Sequence, residues 1–141
     1  MGRGIQKSSS IVSYRSTLYL DENLCECVQI QRVLTDAAFS FKRHLEFFAR
    51  GTLDEDWLPF PGGKGWPVLT KDKAQRFTPL EKSKIVEHRL KIFAFSSGNL
   101  SGADMADLLK ANLRRLDKFA QKQAPPFVAS ITKTGIILRK L

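Results

Sequence analysis

The stretch that decides the fold is Leu18-Tyr19-Leu20-Asp21-Glu22-Asn23, a short apolar run that ends in an acid. A second segment of the same kind, Val68-Leu69-Thr70-Lys71-Asp72, follows later in the chain. Such runs predict strands that are buried on both faces, as in a parallel sheet. Ligands of open α/β folds bind at the carboxyl ends of these strands. The two segments therefore predict that Asp21 and Asp72 lie at one edge of a sheet.

Strand-like and helix-like segments alternate outward from this stretch. Strands are predicted at residues 16–20, 38–41, 68–70, 90–95 and 127–131, with an edge strand at 135–139. Helices are predicted at residues 23–34, with Asn23 as N-cap, from 54 to the Pro61-Gly62-Gly63 stop, at 78–88 and at 101–121. This order predicts an α/β protein, a three-layer α/β/α sandwich with a mainly parallel central sheet. By length, residues 15–141 form one domain and residues 1–14 form a flexible N-terminal arm.

The net charge of the chain lies entirely in its second half. The net charge is +9, and 43% of the residues are hydrophobic, enough for a core. Residues 1–70 hold 8 basic and 8 acidic residues, whereas residues 71–141 hold 15 and 6, so 15 − 6 = +9. This asymmetry favours a polyanion or an acidic protein as partner, with a basic surface that binds nothing as the alternative. No apolar run reaches the roughly 18 residues of a membrane span, and no signal peptide is visible, so a cytoplasmic protein is expected.

Three acids are the candidate catalytic and metal-binding residues: Asp21, Asp54 and Asp72. Carboxylates without His or Cys partners suit a hard cation, Mg²⁺ or Mn²⁺. Asp54 opens a predicted helix together with Glu55 and Asp56. Acids in a first helical turn are also stabilised by the helix dipole alone, so an N-cap role for Asp54 stays open.

Other polar residues near these acids are candidates for binding substrate. Asn23 could orient a metal-bound water, Thr70 could donate its hydroxyl, and three cations could contact phosphates, namely Lys71, Lys73 and Arg76. Asp104 is either a fourth metal ligand or a first-turn charge. The remaining candidates have structural explanations: His44 and His88 as structural or exposed residues, Cys25 and Cys27 as small buried ones. The basic face of the 101–121 helix is either solvated or in contact with nucleic acid.

The order of these motifs resembles the PIN-like nuclease family, and most closely its small VapC-type toxins. The residues that carry the resemblance are Leu20-Asp21-Glu22-Asn23-Leu24, Asp54-Glu55-Asp56-Trp57-Leu58 and Gly65-Trp66-Pro67-Val68-Leu69-Thr70-Lys71-Asp72-Lys73, with Ile131-Thr132-Lys133-Thr134-Gly135 near the end. They match the family's DEN-type motif, its second acid at a helix start, its T-K-D motif, and its closing strand and turn.

The resemblance implies a PIN fold and an Mg²⁺- or Mn²⁺-dependent endoribonuclease whose metal is held by Asp21, Asp54 and Asp72. It also implies a cognate antitoxin as partner, and it leaves a homodimer open. The alternative is a non-catalytic PIN-like module that binds RNA or protein. A phosphatase is disfavoured, because neither strand-end acid belongs to an Asp-x-Asp arrangement that would supply a nucleophile and a separate acid.

Overall fold

A six-stranded sheet forms the centre of the molecule. The computed structural model describes residues 13–71, 77–96 and 99–141. The strands are β1 (Leu18–Leu20), β2 (Phe41–Arg43), β3 (Val68–Lys71), β4 (Lys91–Phe95), β5 (Phe127–Thr132) and β6 (Gly135–Arg139). Their order across the sheet is β2-β1-β3-β4-β5-β6. All neighbouring pairs are parallel except β5 and β6, which are antiparallel. The carboxyl ends of β1 to β5 therefore lie at one edge.

Helices cover both faces of this sheet. They are α1 (Val28–Asp36), α2 (Asp54–Trp57), α3 (Pro59–Lys64), α4 (Pro79–Glu87) and α5 (Gly102–Lys122), with a one-turn 3₁₀ helix at His44–Glu46. α1 packs against α5, whereas α2 and α3 pack against α4. No helix in the described part of the chain is long and apolar enough to cross a membrane.

Side chains that alternate between the two faces of the sheet divide the interior into two hydrophobic cores. Leu18 and Leu20 of β1 join the core beneath α1 and α5, whereas Tyr19 joins the core beneath α2 and α4. Successive strand residues point to opposite faces of a sheet, so these two cores lie on opposite sides. The predicted three-layer α/β/α sandwich with a mainly parallel sheet is confirmed.

The predicted start of the first helix is wrong. Helix α1 begins at Val28 with Cys27 as N-cap, so Asn23 caps no helix. The backbone carbonyl of Asp21 instead accepts the N–H groups of Leu24 at 3.1 Å and Cys25 at 2.8 Å. These bonds hold residues 21–25 in a turn directly after β1, so the chain stays at the sheet edge before α1 begins.

Two other predicted boundaries are also wrong. Strand β2 begins at Phe41, three residues after its predicted start at Ala38. The reason is a turn, because Ala38 adopts a left-handed φ of 56° and the Phe39 N–H donates to the Leu34 carbonyl at 2.8 Å. The Pro61-Gly62-Gly63 segment continues as helix α3, which ends at Gly65 in the left-handed conformation. Other local predictions are confirmed, among them the helix at 78–88, which Thr78 caps, the start of a helix at Asp54 and the edge strand Gly135–Arg139.

Candidate active site

Asp21 lies directly after β1, at the carboxyl edge of the sheet. Its side chain is 3% exposed. One carboxylate oxygen accepts the Leu24 N–H at 3.2 Å, and the other accepts the Thr70 hydroxyl at 2.5 Å. Thr70 belongs to β3, the strand beside β1, and it is buried as well. A buried carboxylate requires such donors, and these two fix its orientation.

The end of β3 contributes the second predicted group of site residues. Lys71 is the last residue of the strand and is half-buried. Since β1 and β3 are adjacent and parallel, Lys71 is at the same edge as Asp21. Three further predicted residues, Asp72, Lys73 and Arg76, lie outside the described residues. Their assignment to metal and phosphate binding therefore remains a prediction.

Asp54 is the first residue of α2, and a side chain of the same helix donates a hydrogen bond to it. The indole N–H of Trp57 donates to its carboxylate at 3.0 Å. Leu53 is the N-cap of α2 and makes no side-chain cap hydrogen bond, so Asp54 is not the N-cap that the sequence left open. The i, i+3 spacing places Trp57 beside Asp54 on the helix surface. Trp57 thereby orients the acid.

An aromatic cluster connects Asp54 with β1. The Trp57 ring stacks on Tyr19 at a centroid distance of 5.5 Å and contacts His44 edge-on at 5.2 Å. The Tyr19 hydroxyl and His44 Nδ1 are 2.6 Å apart. His44 is completely buried, and its Nε2 has no hydrogen-bond partner among the described residues. The Trp57 ring that donates to Asp54 thus packs in one cluster with Tyr19, which lies two residues before Asp21.

Burial favours the neutral forms of the Tyr19 hydroxyl and the His44 imidazole. Burial raises the pKa of Tyr19, and the negative charge of Asp21 raises it further. Burial lowers the pKa of His44, although the nearby carboxylates of Glu22 and Asp54 oppose that shift. A neutral phenol and a neutral imidazole can share one hydrogen bond without a buried charge. The site therefore concentrates its negative charge on the carboxylates.

Asp104 and Glu22 have structural partners. The Asp104 carboxylate accepts the Ser101 N–H at 3.4 Å, and the Ser101 hydroxyl accepts the Asp104 N–H at 3.0 Å, which forms a capping box at the start of α5. Asp104 is exposed there. Glu22 accepts the Gly51 N–H at 3.1 Å. Asn23 is exposed in the turn after β1, and Glu55 and Asp56 are half-buried and exposed, respectively, in α2.

The donor set suits a hard cation, although it is incomplete within the described residues. Asp21 and Asp54 offer carboxylate oxygens, the ligands that Mg²⁺ and Mn²⁺ prefer. In residues 13–71, 77–96 and 99–141, no group of three His, Cys, Asp or Glu side chains could hold a metal ion. Asp72, the third predicted ligand, is outside these ranges.

Sequence reasoning missed the aromatic support of the site. It gave His44 a structural or exposed role without a partner, and it named Trp57 only as part of the family motif. The available signal was local: a Trp three residues after an acid at a helix start can donate to that acid. The contacts of His44 had no local signal, because its partner Tyr19 is 25 positions away.

The site belongs to an α/β/α protein that presents a buried acid, Asp21, at the carboxyl edge of a mainly parallel sheet. A family model described as "PIN like domain" matches residues 17–97, more than half of the chain. The chain therefore belongs to the PIN-like domain family, whose members are often nucleases. Comparison with curated proteins and with solved structures found no match.

Proposed function

We propose that this protein is an endoribonuclease of PIN-like type that depends on Mg²⁺ or Mn²⁺. The observation that carries the proposal is the buried Asp21 carboxylate, which lies at the carboxyl end of a parallel strand and accepts a hydrogen bond from Thr70. Burial of an acid at a ligand-binding edge is costly for folding and is typical of a functional group. Membership of the PIN-like family supports the same activity.

The proposed metal ligands are Asp21, Asp54 and Asp72. A divalent cation held there would lower the pKa of a bound water and shield negative charge on the phosphate. The protein's own residues supply preorganisation. Thr70 and the Leu24 N–H orient Asp21, and Trp57 orients Asp54, so neither carboxylate must reorganise when the cation binds. Lys71, together with Lys73 and Arg76, would contact substrate phosphates.

We propose further that the protein is the toxin of a toxin–antitoxin pair. The support is the resemblance of the DEN-type and T-K-D segments to those of VapC-type toxins. A cognate antitoxin would then insert an Arg or Lys side chain among the acids and replace the charge of the cation. Expression of the chain alone and with the product of the neighbouring gene tests this role. Equal growth in both cases, with no protein that co-purifies, would leave a nuclease without a toxin role.

Cleavage of a pooled RNA substrate tests the activity itself. RNA is incubated with Mg²⁺, with Mn²⁺ and with EDTA, and we expect cleavage only with the cations. Asp21→Asn removes a charged ligand with little change of volume and should abolish cleavage. Glu87→Gln is the control, because Glu87 is an exposed acid at the end of α4, away from the proposed site. Cleavage by Asp21→Asn at the parent rate would refute the assignment. RNA binding without cleavage would instead favour the non-catalytic module.

A further inference from the structure

A row of four exposed cations runs along α5. Lys110, Arg114, Lys118 and Lys122 recur at every fourth residue and are all exposed. A rise of 1.5 Å per residue separates neighbours in this row by about 6 Å along the helix axis. We propose that the row binds the phosphates of a single-stranded RNA, as a surface separate from the acidic site. The proposal rests on the proposed function only in that it takes RNA as the polyanion.

The cations of the row are not neutralised by neighbours. None of the four forms an ion pair with an acid in the described part of the chain. Of the acids on α5, Asp117 accepts the backbone N–H groups of Ser16 at 2.9 Å and Arg15 at 3.2 Å. Asp107 is exposed beside Lys110 but forms no ion pair with it. Like charges at i, i+4 destabilise a helix, so this arrangement does not serve folding. Its positive field is available to an anion.

The surface beside the row is concave and carries an aromatic ring. Tyr14 is half-buried and stacks on Phe39 with a centroid distance of 4.6 Å. It borders a cavity of about 570 Å³ between α1 and α5, which is lined by Arg32 and Lys110 and also by Asp36 and Asp107. Two smaller cavities of about 400 and 260 Å³ lie along the row, beside Arg114. Nucleic-acid surfaces that bind single strands combine a cationic groove with aromatic rings on which bases stack. This combination favours a single strand over an acidic protein.

The affinity of the protein for RNA, measured without cleavage, tests this surface. Fluorescence anisotropy measures the affinity of the full chain for a labelled oligouridine in EDTA, which prevents metal-dependent cleavage. The double variant Arg114→Gln/Lys118→Gln removes two members of the row. The matched control Lys82→Gln/Lys133→Gln removes two exposed lysines of α4 and of the β5–β6 turn, so the net charge falls equally.

We expect the row variant to bind about tenfold more weakly than the parent. Because each phosphate contact on a single strand contributes about 0.7 to the salt slope, loss of two contacts should reduce that slope by about 1.4. The control should change both quantities much less. Equal losses in the two variants, or none, would overturn the proposal, as would a preference for duplex RNA of the same length. Loss of polyglutamate binding with unchanged RNA affinity would overturn it too, in favour of a protein partner.

The outcomes for this surface and for the acidic site can be told apart. RNA that binds through the row but is never cut would support the row and remove the proposed nuclease. Metal-dependent cleavage by the parent, with equal RNA affinity for the parent and the row variant, would support the nuclease and overturn the role of the row.

Discussion

The Thr70 hydroxyl lies 2.5 Å from a carboxylate oxygen of Asp21 and joins the carboxyl ends of two neighbouring parallel strands. Both side chains are only 3% exposed. Hydrogen bonds from a hydroxyl to a carboxylate are short because the acceptor is charged. The strand-end acid is therefore held by the sheet itself, before any cation binds.

Thr70→Val should weaken both the fold and the site. The substitution keeps the shape of the side chain but removes the donor to Asp21, which should reduce the free energy of unfolding by about 1–3 kcal/mol. Urea unfolding in EDTA measures this change. Thr70→Ser is the control, since it keeps the hydroxyl and should retain the Mn²⁺ affinity that Thr70→Val loses. Equal Mn²⁺ affinity in the two variants would contradict the role of this contact.

Trp57→Phe should lower the affinity for Mn²⁺ strongly and the free energy of unfolding only slightly. The new ring can still stack on Tyr19, but it no longer donates to Asp54. Loss of a group that orients a metal ligand typically lowers metal affinity or activity by about 10–100-fold. Calorimetric titration with Mn²⁺ and RNA cleavage measure the effect. Trp66→Phe is the control, because Trp66 packs in the same aromatic core, against Phe47 and Phe60, but donates no hydrogen bond to an acid within the described residues. Equal losses in the two variants would argue against a specific role for Trp57.

The buried imidazole of His44 should make the protein less stable in mild acid. Burial lowers its pKa in the folded state, whereas in the unfolded chain the pKa is about 6.5. Below about pH 6.5 the unfolded chain therefore binds more protons than the folded protein. The free energy of unfolding should fall as pH decreases, by at most about 1.4 kcal/mol per pH unit from this group.

His44→Asn should remove that part of the pH dependence. Urea unfolding between pH 8 and pH 5 should give a steeper loss for the parent than for His44→Asn, so the difference in stability between them narrows in acid. Tyr19→Phe removes the hydrogen bond to His44 but keeps the titrating ring, and it should retain the steep slope. Parallel curves for the parent and His44→Asn would contradict this account.

The layers of the fold were predictable because the pattern is local to each segment. Largely apolar runs such as residues 90–95 are too short for helices and too apolar for loops, and their alternation with helical segments predicts a parallel sheet. The turn after β1 was not predictable in this way. Leu24 and Val28 have helical spacing, but the Leu24 N–H donates to the Asp21 carbonyl in a turn, and the helix begins only at Val28.

The acids of the site were predictable, and their supports were only partly so. Asp21 follows an apolar run, and Asp54 stands at a helix start, so the sequence alone marks both. Thr70 was recognised as a hydroxyl donor, but its partner depends on the pairing of β1 with β3. The contact between Tyr19 and His44 depends on the same sheet, because β2 must lie beside β1 before the two rings can meet.

Two adjacent glycines of α3 should respond oppositely to the same substitution. A Cβ added to Gly62 would lie 2.7 Å from the backbone oxygen of His88 and 2.9 Å from a side-chain carbon of Leu90, whereas a Cβ on Gly63 would meet nothing within 4 Å. Gly62→Ala should therefore push α3 away from the end of α4 and cost about 1–3 kcal/mol of stability. Gly63→Ala should be neutral or stabilise the protein by up to about 1 kcal/mol, because alanine favours the helix. Thermal and urea unfolding of the two variants measure the difference. A Gly62→Ala variant as stable as Gly63→Ala would show that α3 does not pack this closely against the turn between α4 and β4.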